Sequence, residues 1–263
     1  MHRFYLPPER CAGDRLSPDS REAHHALHVL RLRSGDAVQA LDGAGHVFAC
    51  AVETAARGSL VLRVMQKEFI PPAPCSITLL QAVPKGKIIE DIIQKAVELG
   101  VRRIVPLLTE HVVTRLDARE RMIRRNKWQQ VAIEAIKQCG AAWPPEIAAP
   151  TPLAGWLRRE PAADTDSAPA APAAFELALV GSLQTERRHP RDCFGEFEAR
   201  FGRPPESVGV WIGPEGDFTR DELEAIQATG AQPITLGRLV LRVETAALYC
   251  LSILNYELNS GRA

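Results

Sequence analysis

At 263 residues, with 46% hydrophobic and 24% charged residues, the chain suits one large domain or two unequal ones and is too apolar to be wholly disordered. Lysine plus arginine equal aspartate plus glutamate at 32 each, which excludes a protein coated in positive charge but not a local basic patch. No apolar run reaches the roughly 18–20 residues of a membrane span and the N-terminus lacks a signal-type apolar region, so a cytoplasmic protein with no membrane partner is expected.

In chain order, residues 3–6 read as a short strand ended by Pro7-Pro8. Ser17-Pro18 is a helix entry, since serine caps free N–H groups and proline suits the first turn. The helix then carries Ala23, Leu27 and Leu30 on one face, with His24 and His28 alongside. Strands follow at 37–41, 47–52 and 59–64, separated by Asp42-Gly43 and Arg57-Gly58 turns, as in a small β-barrel. The stiff Pro71-Pro72-Ala73-Pro74 stretch marks the clearest boundary. We divide the chain there into domains 1–72 and 73–263.

Beyond it the rhythm becomes strand–helix alternation. Strands are expected at 77–83, 103–107, 178–181, 208–212 and 233–236, and helices at 86–99, 118–139 and 244–258. The first of these helices buries Ile88, Ile89, Ile92, Ile93, Ala96 and Leu99 and stops at Gly100. Such alternation predicts an α/β fold with a largely parallel sheet. Arg115, Arg119, Arg121, Arg124, Arg125, Lys127 and Lys137 outnumber Asp117, Glu120 and Glu134 along the long helix, a basic patch suited to phosphates or simply a solvated face. The Ala/Pro-rich stretch 162–174 reads as a surface insertion without chemistry. Six cysteines are scattered with no CxxC pair, and His24, His25 and His28 lack completing ligands, so no metal is expected.

Ligands in parallel α/β sheets bind beyond the carboxyl ends of the strands. Two segments fall there. In Ile212-Gly213-Pro214-Glu215-Gly216-Asp217-Phe218-Thr219, the glycines permit tight turning and close approach, and Thr219-Arg220-Asp221-Glu222 fits a capping box. In Leu236-Gly237-Arg238-Leu239-Val240-Leu241-Arg242-Val243-Glu244-Thr245-Ala246, Arg242 and Glu244 stand at a helix start. Either segment alone would pass for an ordinary βα turn. No GxxxxGK[ST] or strand-linked GxGxxG occurs. Pro84-Lys85-Gly86-Lys87 is too short for a phosphate loop, yet it places two ammonium groups at a helix start.

Together these segments resemble the RsmE family of 16S ribosomal RNA uridine-N3 methyltransferases, in the SPOUT superfamily. The resemblance runs through Arg3-Phe4-Tyr5-Leu6, His28-Val29-Leu30-Arg31, Gly86-Lys87-Ile88-Ile89-Glu90, Lys95-Ala96-Val97-Glu98-Leu99-Gly100, Trp128-Gln129-Gln130 and Gln138-Cys139-Gly140. It closes on the two loops just described. It implies a PUA-like β-barrel followed by a methyltransferase domain with a trefoil knot, working as a homodimer on 16S rRNA in the 30S subunit or its precursor. It further implies that S-adenosylmethionine is held mainly by backbone: Leu179, Val180 and Gly181 after one strand, Ile212, Gly213, Pro214, Glu215 and Gly216 after another, and Leu236, Gly237, Leu239, Val240, Leu241, Glu244, Thr245 and Ala246 at the last. The chain departs from the family pattern at Asp217, where glycine is usual, and at His111, Ala141 and Leu239, where arginine is usual.

The N3 proton of uracil must leave before methyl transfer, so a base or an anion-stabilising group is needed. Arg242 is the expected anion stabiliser and Glu215 the weaker candidate base. Arg3, Arg31, Lys85, Lys87, Arg124, Arg125 and Lys127 are the expected RNA contacts. A non-catalytic RNA-binding protein on the same fold, or methylation of another base or of transfer RNA, is the alternative.

Overall fold

The computed structural model describes residues 1–56, 59–112, 116–158, 175–184 and 187–259. The Ala/Pro-rich stretch 162–174, the Arg57-Gly58 turn and Arg115 lie outside them. The chain divides into two compact units, one of residues 1–72 with 133–144, the other of 73–132 with 145–263.

The first unit carries β1 (His2–Tyr5), β2 (Arg15–Leu16), α1 (Ser20–His24), β3 (Ala37–Leu41), β4 (His46–Ala56) and β5 (Ser59–Phe69). Its five strands run in the order β1-β3-β4-β5-β2, with β1 parallel to β3 and the other pairs antiparallel. Phe4, Leu6, Leu16, Phe48 and Leu62 form its buried centre. β4 and β5 extend beyond the residues expected, because their pairing continues across two register shifts, at Ala49/Cys50 and Val52/Thr54. Asp42 holds the turn between β3 and β4: its Oδ1 accepts from the N–H groups of Ala44 (2.7 Å) and His46 (2.9 Å). β2 went unforeseen, being only two residues long.

The helix entry also needs correction. Asp19, not Ser17, caps α1, its Oδ1 accepting from Glu22 N at 2.8 Å. A π-helical turn, His25–Val29, follows at once. Its wider pitch rotates the inward face, so Ala26 joins Ala23 in full burial while Leu27 and Leu30 are half-buried.

The second unit contains β6 (Ser76–Ala82), α2 (Ile88–Glu98), β7 (Arg103–Leu108), α3 (Ala118–Cys139), whose last turns belong to the first unit, β8 (Glu146–Ile147), β9 (Thr151–Pro152), α4 (Leu153–Arg158), β10 (Leu177–Gly181), α5 (Pro190–Phe201), β11 (Ser207–Ile212), α6 (Arg220–Gln227), β12 (Gln232–Ile234) and α7 (Val243–Leu258). Its sheet runs β12-β10-β11-β6-β7-β8, with β9 also on β7, and every pair is parallel. The α/β alternation read from the sequence is thus realised. Parallel strands covered on both faces must be apolar throughout, and β6, β10 and β11 are almost entirely buried.

α2 ends as its sequence implies. Gly100 adopts φ +75°, with Gly100 N donating to Val97 O and Val101 N to Ala96 O, both at 3.0 Å. These bonds satisfy carbonyls that a helix end otherwise leaves open. The inward face of α2 comprises Ile89, Ile92, Ile93, Ala96 and Val97, whereas Ile88 and Leu99 are only half-buried. α7 follows edge strand β12 in the chain and packs against α2, β6 and β11.

Candidate functional site

Because β10, β11 and β12 are parallel neighbours, the loops after them emerge together at one edge of the sheet. They enclose a cavity of about 440 Å³, the size of small-ligand sites. Gly181 and Ile212, Gly213, Pro214 and Glu215 line it. So do Leu236, Gly237, Leu239, Val240 and Leu241, followed by Arg242, Glu244 and Ala246. Of the expected cofactor residues, Leu179, Val180, Gly216 and Thr245 do not line it. Leu179 and Val180 lie within the buried strand, and Thr245 is exposed on the first turn of α7.

The cavity also takes in residues that were not among the expected cofactor contacts, among them Ile88, Ser182, Leu183, Arg187 and Asp217. Ile88 had read as core. Its position beside the Pro84–Lys87 turn, where α2 begins, was the available signal. Gln81 had no signal at all: a fully buried glutamine on β6, it donates from Nε2 to Ala82 O at 2.9 Å and lies 3.5 Å from Ile212 O.

The loop after β11 is held on all sides. Glu215 Oε1 accepts from Lys85 N at 2.9 Å, joining it to the segment that opens α2. Asp217 has φ +61°, a left-handed conformation costing an ordinary side chain about 1–2 kcal/mol, less for aspartate. Its N–H donates to Pro214 O at 2.9 Å, closing the turn. Its carboxylate accepts from Phe218 N (2.8 Å, Oδ1) and Leu183 N (3.0 Å, Oδ2). His111 Nδ1 lies 2.9 Å from Asp217 O and must be the protonated nitrogen there, since a carbonyl only accepts. Thr219 forms the capping box expected of it, with Glu222 N on Oγ1 and Thr219 N on the Glu222 carboxylate. The other Glu222 oxygen accepts from Glu110 N at 2.8 Å.

Two glycines leave room where the backbone of these loops is close to its neighbours. A Cβ on Gly213 would stand 3.0 Å from Asp217 Oδ1 and 3.2 Å from Phe218 N, and one on Gly181 would meet Ile212 Cδ1 at 3.3 Å. Gly237 has φ +112°. Arg242 takes the N-cap position of α7 without a side-chain cap bond. The N–H groups of that first turn, with Arg242 and Arg187, bring positive charge to the cavity wall, beside the carboxylates of Glu215, Asp217 and Glu244 that also line it.

The expected RNA contacts are dispersed. Arg3 donates to Gln39 Oε1 (3.0 Å) and to the carbonyls of Lys137 (3.3 Å) and Gln138 (2.8 Å), closing the C-terminus of α3. Arg31 is exposed with φ +55°. Lys85 and Lys87 are exposed before α2, and Arg124 is half-buried on α3. Arg125 Nε reaches Ile147 O at 3.3 Å, and Lys127 pairs with Glu90. Among the described residues no His/Cys/Asp/Glu group could hold a metal ion, and no helix is long and apolar enough to cross a membrane.

A family model described as an RNA methyltransferase domain matches residues 71–255, and one described as an RNA methyltransferase PUA domain matches residues 18–65. The chain therefore carries an RNA methyltransferase domain preceded by an RNA methyltransferase PUA domain. The chain is 30% identical to ribosomal RNA small subunit methyltransferase E of Synechocystis sp., over 98% of this chain and 78% of that protein. It is 30% identical to the same-named protein of Mycobacterium bovis, over 94% of this chain and 88% of that one. The chain belongs to the ribosomal RNA small subunit methyltransferase E family. Among solved structures, one from Legionella pneumophila with bound SAM superposes with TM-score 0.81 at 29% identity, covering 98% of both chains. The Neisseria gonorrhoeae methyltransferase E bound to S-adenosyl methionine gives TM-score 0.80 at 25% identity, again over 98% of both.

Proposed function

We propose that the chain methylates N3 of a specific uridine in 16S rRNA of the small ribosomal subunit, with S-adenosylmethionine bound in the cavity beyond β10, β11 and β12. The observation that carries this reading is the cavity itself, walled by backbone turns at Gly181, Gly213 and Gly237 and lined at the start of α7 by both Arg242 and Glu244. A neutral nucleoside and an amino-acid zwitterion suit such a cradle, which offers backbone groups and close approach and lacks a phosphate loop.

The cofactor supplies an already activated methyl group, so this chain's residues have to align, exclude water and manage one proton. Arg242, which lines the cavity where α7 begins, is the proposed stabiliser of the uracil anion left when N3 loses its proton. Glu215 is the candidate base, although one of its oxygens already holds Lys85 N. Lys85, Lys87, Arg31, Arg124, Arg125 and Lys127 would meet phosphates. The exposed Lys127–Glu90 pair contributes only about 0.2–1 kcal/mol, little enough for a phosphate to displace it. Arg3 is better suited to closing α3 than to binding RNA, since its Nε and Nη1 donors are already engaged.

In this reading residues 1–72 form a PUA-like barrel that docks RNA, and 73–263 form a SPOUT domain with a trefoil knot. A homodimer is proposed on the exposure of two apolar residues at the cavity, Leu239 at 79% and Val240 at 76%, and a cytoplasmic setting on the ribosomal RNA target. The test is to combine purified protein, labelled methyl donor and 30S subunits lacking the modification, then to analyse the nucleosides. Label in N3-methyluridine is expected; unlabelled RNA overturns the reading. Label in another nucleoside would reassign the target.

A further inference from the structure

Three loops of the second unit converge on a residue that the reaction does not call for. Asp217 stands in a left-handed backbone conformation, at φ +61°. Its two carboxylate oxygens are divided between loops: Oδ1 accepts from Phe218 N in its own loop, at 2.8 Å, and Oδ2 accepts from Leu183 N beyond β10, at 3.0 Å. A second bond runs alongside, from Gln184 Nε2 to Phe218 O. The loop after β7 arrives from another direction, His111 Nδ1 donating to Asp217 O and Glu110 N to Glu222. Leu183 is about half exposed and lines the cavity, as does Asp217.

We infer that Asp217 is a positioning residue, whose carboxylate clasps the loop after β10 to the loop after β11 and so holds Leu183 as a wall of the cavity. The inference rests on the reading of that cavity as the S-adenosylmethionine site. Its physical basis is the number of acceptors. Two N–H groups from separate loops need two oxygens, and a carboxylate at this point provides both, each strengthened by its charge. Glycine would suit the backbone better but would leave Leu183 N without its partner. Aspartate is kept in an unfavoured conformation by what its side chain ties together.

The experiment compares the wild-type protein with D217G and D217N. Calorimetry with S-adenosylmethionine and S-adenosylhomocysteine gives affinity, hydrogen exchange at the Leu183 amide gives the clasp, and thermal unfolding checks the fold. D217G removes both acceptors while relaxing the backbone, so it should remain folded, exchange Leu183 N–H faster, and bind both compounds about tenfold more weakly. D217N retains one acceptor oxygen and tolerates the left-handed conformation, so it should fall between. The KM for RNA should stay at the wild-type value, because the clasp acts on the cofactor wall. Unchanged affinity in D217G, with or without faster exchange at Leu183, overturns the inference. A wild-type protein that binds neither compound overturns the cofactor reading itself, and the clasp with it.

Discussion

Across the cavity, the loop 213–219 is bound to its surroundings by Glu215, Asp217, Phe218 and Thr219, whereas 236–242 has far less to hold it. In the latter, Thr235 Oγ1 bonds to Gly237 at 3.2 Å, and α7 begins with Ala246 N on Arg242 O at 2.8 Å. Leu239 and Val240 remain exposed between those points. One wall is therefore preorganised by hydrogen bonds before any ligand arrives. The opposite wall presents apolar surface whose burial must come from something that binds there. The difference separates two ways of building a site: fixing donors and acceptors in advance, or leaving part of the wall to be completed on assembly.

Substitutions can break that contrast in graded fashion. The largest effect is expected at the weakly held wall's own chemical group: R242A should lower kcat for methyl transfer on the order of 10²–10³ while leaving S-adenosylmethionine affinity nearly unchanged. Steady-state kinetics beside calorimetry would show it, and a full-speed R242A enzyme would remove Arg242 from the chemistry. Next comes the rigid wall. G213A sets a methyl group 3.0 Å from Asp217 Oδ1 and 3.2 Å from a backbone nitrogen. The loop must shift to admit it, so cofactor affinity should fall by about tenfold, as overpacking costs of about 1–3 kcal/mol imply.

A smaller effect should follow from L239S combined with V240S. Substitutions at exposed sites seldom shift stability by more than about 0.5 kcal/mol, so the isolated chain should melt as before. Self-association, followed by sedimentation across a concentration series, should weaken. Unaltered association would show that this wall is completed by something other than a second copy.

The smallest effect lies away from both walls and serves as their control. The Glu176 carboxyl is held down to about 2, first by its bonds with Arg203 and then by Glu206 N. Its folded value lies below the ordinary carboxylate value, so its contribution is present above about 4.5 and fades as pH falls toward about 2. Acid titration of stability should be slightly flatter in E176Q, with cofactor binding at neutral pH unchanged. A change in that binding would mean the walls sense distant charge.

Much of the scaffold was readable because it is local. The Thr219–Glu222 capping box, the Gly100 stop and the long helix 118–139 each depend on residues within a turn or two of one another. Strand–helix alternation likewise follows from the spacing of apolar residues. Where local signals competed, the reading slipped: Asp19 outcompeted Ser17 as cap, and a π-helical turn rotated the face expected from Leu27 and Leu30. The site was half legible. The loops at 212–219 and 236–245 could be picked out by their glycines and their place after strands, but their fit into one cavity depends on the strand order β12-β10-β11.

Sequence alone therefore determined the elements, their caps and the candidate loops, because these depend on short-range spacing and on backbone preferences of individual residues. Tertiary structure decided the partners. Arg3 meets carbonyls more than 130 residues away, Glu215 meets Lys85 N, and Asp217 meets Leu183 N. A carboxylate or guanidinium will bond to whatever complementary group the fold brings within about 3 Å. Nothing in the local sequence says which group that will be.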